Sequence, residues 1–271
     1  MTGISWRPCV LASSSWRPPV DSLLTVPFFA GLTLAVLLPL VGNLLRLRDE
    51  WLATLGLAHL AAAGALLGMA AHLPAFVGAL AGALAGAGAK QASGGRSNSA
   101  YGLMILAGWA LTLLIAANTM LGDALAHALI DGQLYFAGWR EFAIDIAVVL
   151  AALPALRWLM PRLVAARLFP ERERANGLPA WRWHLGFDLL AATAIAAGLV
   201  TFGLMASFAL IFIPPWLAFR RSTDWRRAQW LAIGIGATGF ATAFWLALVL
   251  DQPFGPVLVT LLVALFVISS S

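Results

Sequence analysis

Cysteine, charge and tyrosine are all scarce in this chain. Its one cysteine, Cys9, excludes an internal disulfide and a metal site built from several thiolates. Charged residues make up only 11%, against about 25% in soluble domains. No G-x-x-x-x-G-K-S/T phosphate cradle occurs, so any ATP hydrolysis must come from another chain. H-E-x-x-H and C-x-x-C are missing, and nothing resembles a serine or cysteine triad. Strictly alternating apolar and polar runs are missing too, which sets aside an outer-membrane barrel.

What the chain has instead is apolar surface. Hydrophobic residues reach 61% of 271, too much for a soluble fold. The expected class is all-α, a polytopic integral membrane protein in contact with lipid. The net charge of +5 does not indicate nucleic acid, because the basic residues flank apolar runs and form no continuous stripe.

About nine transmembrane helices are expected, near 23–45, 51–71, 75–89, 101–117, 142–159, 184–202, 203–219, 228–250 and 257–268. The third is rich in small residues, with Gly78, Gly82 and Gly86 at every fourth position, a spacing that lets a neighbouring backbone approach. Lys90 to Ser99 reads as a polar loop, and Pro214-Pro215 as a break in the seventh span. Residues 1–21 read as an N-terminal interfacial segment in which Ser-Trp-Arg-Pro occurs twice, at Ser5 and Ser15. They contain no apolar core of signal-peptide length, so no cleaved signal is expected. Residues 22–270 are expected to form one transmembrane permease domain.

Nine spans place alternate loops on opposite sides. One side then holds 14 of the 17 basic residues, leaving only Arg7, Arg17 and Arg140 on the other. Positive loops stay in the cytoplasm, so the N-terminus is expected outside and the C-terminus inside. The most charged cytoplasmic loop, about 162–182, contains a short helix marked at both ends. Pro170 suits the first helical position. Glu171 and Glu173 favour the positive end of the helix dipole, with Arg172 and Arg174 between and beyond them. Asn176-Gly177 can close the helix and Pro179 prevents its resumption. Such a helix is a handle for a soluble partner.

Ionisable groups within spans are costly and are candidates for function. His59 lies inside the second span, where it either lines a pathway or bonds a neighbouring helix. Asp123, His127 and Asp131 stand at i, i+4 and i+8, so a helix there would present carboxylate, imidazole and carboxylate on one face. Zinc, manganese and ferrous iron accept such ligands, although a solvated polar face has the same pattern. Asp145 and Asp188, near span ends, are expected to meet interfacial water or an arginine. Asp251 is expected to cap a turn.

Five segments, in order and in register over about 22–268, resemble the permeases of zinc, manganese and iron ABC importers. Gly203 to Ala218, with Pro214-Pro215, is similar to their G-x-L-L-V-x-A-L-L-I-I-P-A-A-x-A span. Asp251-Gln-Pro253-Phe-Gly255-Pro256 matches their D-x-P-x-G-P turn. Residues 169–179 resemble their F-D-x-E-x-A-x-x-x-G-x-P loop, Gly132 to Phe136 their F-G-Q-I-L stretch, and Leu57-Ala58-His59 part of their D-T-L-A-H element. The resemblance implies a type II ABC importer-like permease in the bacterial inner membrane, working as a homodimer and making or breaking no covalent bond. It implies a cytoplasmic ATP-binding subunit docked on the 170–177 helix, an external (periplasmic) metal-binding protein, and no permanent cofactor beyond the transported zinc, manganese or iron. It also implies that His59 faces the path. Two departures stand out. Leu55 occupies the family's aspartate position, and Arg48-Asp49 replaces a basic pair. A chelated metal or small organic solute is therefore the alternative cargo, and a secondary transporter without an ATPase ranks last.

Overall fold

Inside a bilayer, an apolar chain can satisfy its own backbone as α-helix, and the computed structural model of this protein is built that way. It describes residues 20–92, 98–119, 134–169, 171 and 180–269. Among them are nine α-helices: α1 (Val20–Arg48), α2 (Trp51–Ala70), α3 (Ala75–Ala92), α4 (Asn98–Ala117), α5 (Trp139–Leu168), α6 (Ala180–Phe202), α7 (Leu204–Arg221), α8 (Trp225–Leu250) and α9 (Phe254–Ile268). A 3-10 turn, Leu134–Phe136, precedes α5. Each expected span falls on one helix. Seven helices are long and apolar enough to cross a membrane, α3 and α9 excepted. Four glycines with Lys90 and Gln91 lower the apolarity of α3, and α9 has only 15 residues.

α1 is the axis of the bundle, packed against α5, α6, α7 and α8. Leu34, Leu37 and Leu38 are wholly buried there. α2 is enclosed by α3, α4, α6 and α7. Outward faces are also apolar, as at Leu103, Leu106, Leu113 and Leu114 of α4, which suits lipid and not water. At one end of the bundle Phe28, Phe202, Phe240, Phe244 and Phe254 form an aromatic core, and the Tyr135 hydroxyl donates to the Phe244 carbonyl at 2.9 Å. At the other, arginines lie over tryptophans: Arg162 over Trp158 and Trp183 at 4.0 and 4.6 Å, and Arg220 over Trp216 at 4.6 Å. Such pairs belong at a membrane–water boundary.

α2 and α3 touch backbone to backbone. A side-chain carbon at Gly78 would overlap the Gly64 carbonyl, and one at Gly82 the Leu60 carbonyl. The small-residue spacing thus does what it predicts. The helix ends are closed by three non-glycine residues in the left-handed region, Asp49, His72 and Asp251, at φ 57°, 59° and 52°. Aspartate and histidine are among the residues that tolerate it. After α1 the Glu50 N–H bonds the Leu45 carbonyl and the Asp49 N–H the Arg46 carbonyl, and the same pair of bonds recurs at His72 and Leu73. This is the Schellman closure. Asp251 therefore does end a helix, but through its backbone.

Three boundaries differ from expectation. α5 runs on to Leu168, with Leu163 buried and Arg162 folded over two tryptophans, so residues 162–168 and 180–182, expected in the loop, are helical. Lys90 is not in a solvated loop but inside α3, with 2% exposure. Pro214-Pro215 does not break α7, which continues through both prolines, since its packing against α1, α8 and α9 holds the helix.

Candidate functional site

His59 is buried in α2. Its Nδ1 lies 2.8 Å from the carbonyl oxygen of Leu55. A carbonyl only accepts, so Nδ1 donates in this contact and Nε2 is the ring nitrogen left for another partner. The ring stacks on Trp109 of α4 at 5.6 Å, and Gly108 brings the α4 backbone against His59. The position of Leu55 thus still contributes an oxygen beside the histidine, but an uncharged one.

α7 passes the neighbouring face. Pro214 and Pro215 have no N–H to give to the carbonyls of Leu210 and Ile211. The Ile211 carbonyl turns toward Gly42 of α1, so closely that any side chain at 42 would overlap it. Here a cavity of about 370 Å³ opens, lined by Gly42, Arg46, Asp49, Trp51, Arg167, Ile211, Phe212 and Trp216. Trp51 contacts Phe212 at 5.2 Å, and Phe212 stacks on Phe208 at 5.8 Å, an aromatic column along α7. Gly203 starts α7 at φ 85° and ψ 173°, where its carbonyl accepts from the Ser207 hydroxyl at 2.7 Å. That conformation is open essentially to glycine alone. Gly203→Ala is expected to lower stability by about 1–3 kcal/mol, read as an earlier thermal transition of the detergent-solubilised protein.

At the α1–α2 corner, four charges meet. Arg48 bonds Glu50 at 2.9 Å and forms an ion pair with Asp188 at 3.2 Å. Lys90 bonds Glu50 and Asp188, each at 2.8 Å. The Gln91 amide donates to the second Asp188 oxygen at 2.8 Å. The four charged side chains are 1–4% exposed. Asp188 does meet an arginine, as expected, but in a closed cluster. Nothing in the sequence marked Glu50 or Lys90, since both stand where loop residues were expected. At the opposite end Asp145 is buried and accepts from the Thr201 hydroxyl at 2.9 Å.

Asp123, His127 and Asp131 lie outside the described residues, as do Pro170, Arg172, Glu173, Arg174 and Gly177. Glu171 is exposed. Pro253, Gly255 and Pro256 form the turn into α9 and its first helical turn, where proline's missing N–H has no partner to lose. Among the described residues no three His, Cys, Asp or Glu side chains converge on a metal-sized site.

A family model described as the ABC 3 transport family matches residues 21–271. Among solved structures, PsaBC from Streptococcus pneumoniae in complex with Fab is similar, with a TM-score of 0.80 and 18% identity over 92% of this chain and 93% of that one. A second, assigned to the metal-chelate type of ABC transporter and in an inward-facing conformation, gives 0.75 and 16% over 95% and 90%. At these identities the likeness is one of fold. No curated protein matches the sequence.

Proposed function

Because this chain belongs to the ABC 3 transport family, we propose that it is the membrane subunit of an importer carrying a divalent transition metal, zinc first among them, across the bacterial inner membrane. A separate cytoplasmic ATPase drives it by gripping the loop between α5 and α6. An external metal-binding protein delivers the ion to a pair of such chains. The observation that carries this reading is the family match over 21–271 in a chain without a phosphate cradle of its own. The positive loops support the orientation, since they gather at the end that holds the α5–α6 loop. The contact of His59 Nδ1 with the Leu55 carbonyl, of the kind that orients a metal-ligating imidazole, supports a metal as cargo.

The aromatic column favours a second cargo. Trp51, Phe208 and Phe212 offer stacking surface beside α2, and Leu55 offers no charge. A chelated metal or a small organic solute fits that lining better than a bare dication does.

The test is uptake into proteoliposomes holding this chain and its ATP-binding partner. ATP-dependent uptake of zinc, manganese or iron, lost when either subunit is omitted, is the expected result. Solute movement against a gradient by this chain alone would sink the reading. Competition between free zinc and ferric citrate separates the two cargoes. Glu171→Lys is expected to leave insertion intact and hydrolysis running while uptake falls by roughly tenfold or more, as when a charge is reversed at a docked interface. Unchanged uptake in that variant counts against docking on this loop.

A further inference from the structure

The four charges at the α1–α2 corner have no part in the reading above. Stability alone does not account for them, because burying ions gives little over apolar residues of equal volume. What a buried ionic cluster does provide is register, since each contact acts only at hydrogen-bond distance. This one joins three separate stretches of chain: the corner, the end of α3, and α6. Asp188 is its hub, with Lys90 and Arg48 on one oxygen and Gln91 on the other. The adjacent Phe187 is wholly buried, 5.0 Å beneath the Arg48 guanidinium.

α6 begins at Ala180, directly after the loop assigned above to the ATPase. Asp188 lies about 12 Å further along the helix. A helix is stiff over that length, so displacement of its first turn reaches Asp188 almost undiminished. Apolar side chains let neighbouring helices slide. Charge-assisted bonds in a medium of low dielectric resist it. The corner that receives the movement is itself held by its Schellman closure. It leads straight into α2, where His59 follows two turns after Trp51.

We propose that Arg48, Glu50, Lys90 and Asp188 form an ionic joint that carries movement of the loop before α6 into the α1–α2 corner and α3. They are positioning residues, and the proposal rests on the importer reading. The test uses the complex with its ATPase in proteoliposomes, with zinc, manganese and ferric citrate as probes and hydrolysis read in the same vesicles. Two variants are compared with wild type: Lys90→Met with Asp188→Leu, which removes a balanced pair, and Asp188→Asn, which keeps the shape. The double variant is expected to keep hydrolysis within about twofold while solute moved per ATP falls roughly tenfold, a usual size for coupling between sites. Asp188→Asn should fall between it and wild type. A purely structural cluster would lower the amount of folded protein and leave the ratio of solute to ATP alone. Wild-type ratios in either folded variant overturn the joint, and should the double variant not insert, Asp188→Asn decides by itself. A wild-type complex that shows no ATP-dependent uptake of any probe removes the importer reading as well. One that transports, beside variants that couple normally, removes only the joint.

Discussion

Truncating Lys90 to alanine is expected to cost the folded protein about 3–5 kcal/mol. The lysine sits 2.8 Å from both Glu50 and Asp188, and all three are all but sealed from solvent. Its loss leaves two buried carboxylates beside Arg48, with one of the two described cations gone and Gln91 still donating to Asp188. Neither can recover its hydration, and their mutual repulsion is weakly screened. The balanced change of Lys90→Met with Asp188→Leu should be far milder, because it leaves one cation with one anion and fills the space with apolar volume. Thermal unfolding in detergent would show this as an ordering, with the single variant well below the double one. Equal losses in the two would mean that lost packing, not unpaired charge, sets the energy.

Gly64→Leu is expected to separate α2 from α3. A first side-chain carbon at 64 already overlaps the Gly78 carbonyl, and it lies 2.9 Å from the Gly82 Cα. These are backbone atoms, so no rotamer change relieves the clash. Overpacking usually costs about 1–3 kcal/mol where side chains can adjust, and the loss here should exceed that range. α2 also carries His59 and packs on α4, so the damage should spread to the histidine. Limited proteolysis and gel filtration of the solubilised variant would show it. A monodisperse, protease-resistant Gly64→Leu protein would mean that these two helices do not touch as described.

The spans were legible because helix is the answer a bilayer allows for long apolar runs, and the Gly78, Gly82, Gly86 spacing announced a close backbone contact. His59 stood out because a titratable group inside such a run has few reasons to be there. The ionic cluster was not legible. Arg48, Glu50 and Lys90 sit at helix ends, where charge ordinarily means water, and only the three-dimensional meeting of α3 with α6 brings Lys90 to Asp188. Pro214-Pro215 misled in the opposite direction. Two prolines ordinarily interrupt a helix, but here neighbouring helices keep α7 continuous, and a glycine on α1 accommodates one of the freed carbonyls. Local chemistry fixes helix ends only when no neighbour overrides it.

The shortness of α9 bears on the lipid around the protein. Its 15 residues rise about 22 Å, less than the roughly 30 Å of a typical hydrocarbon core. Val263, Leu265, Val267 and Ile268 face outward. Where lipid covers them, thinning of the bilayer accommodates so short a helix, and phospholipids with short tails are then expected beside it in preference to long ones.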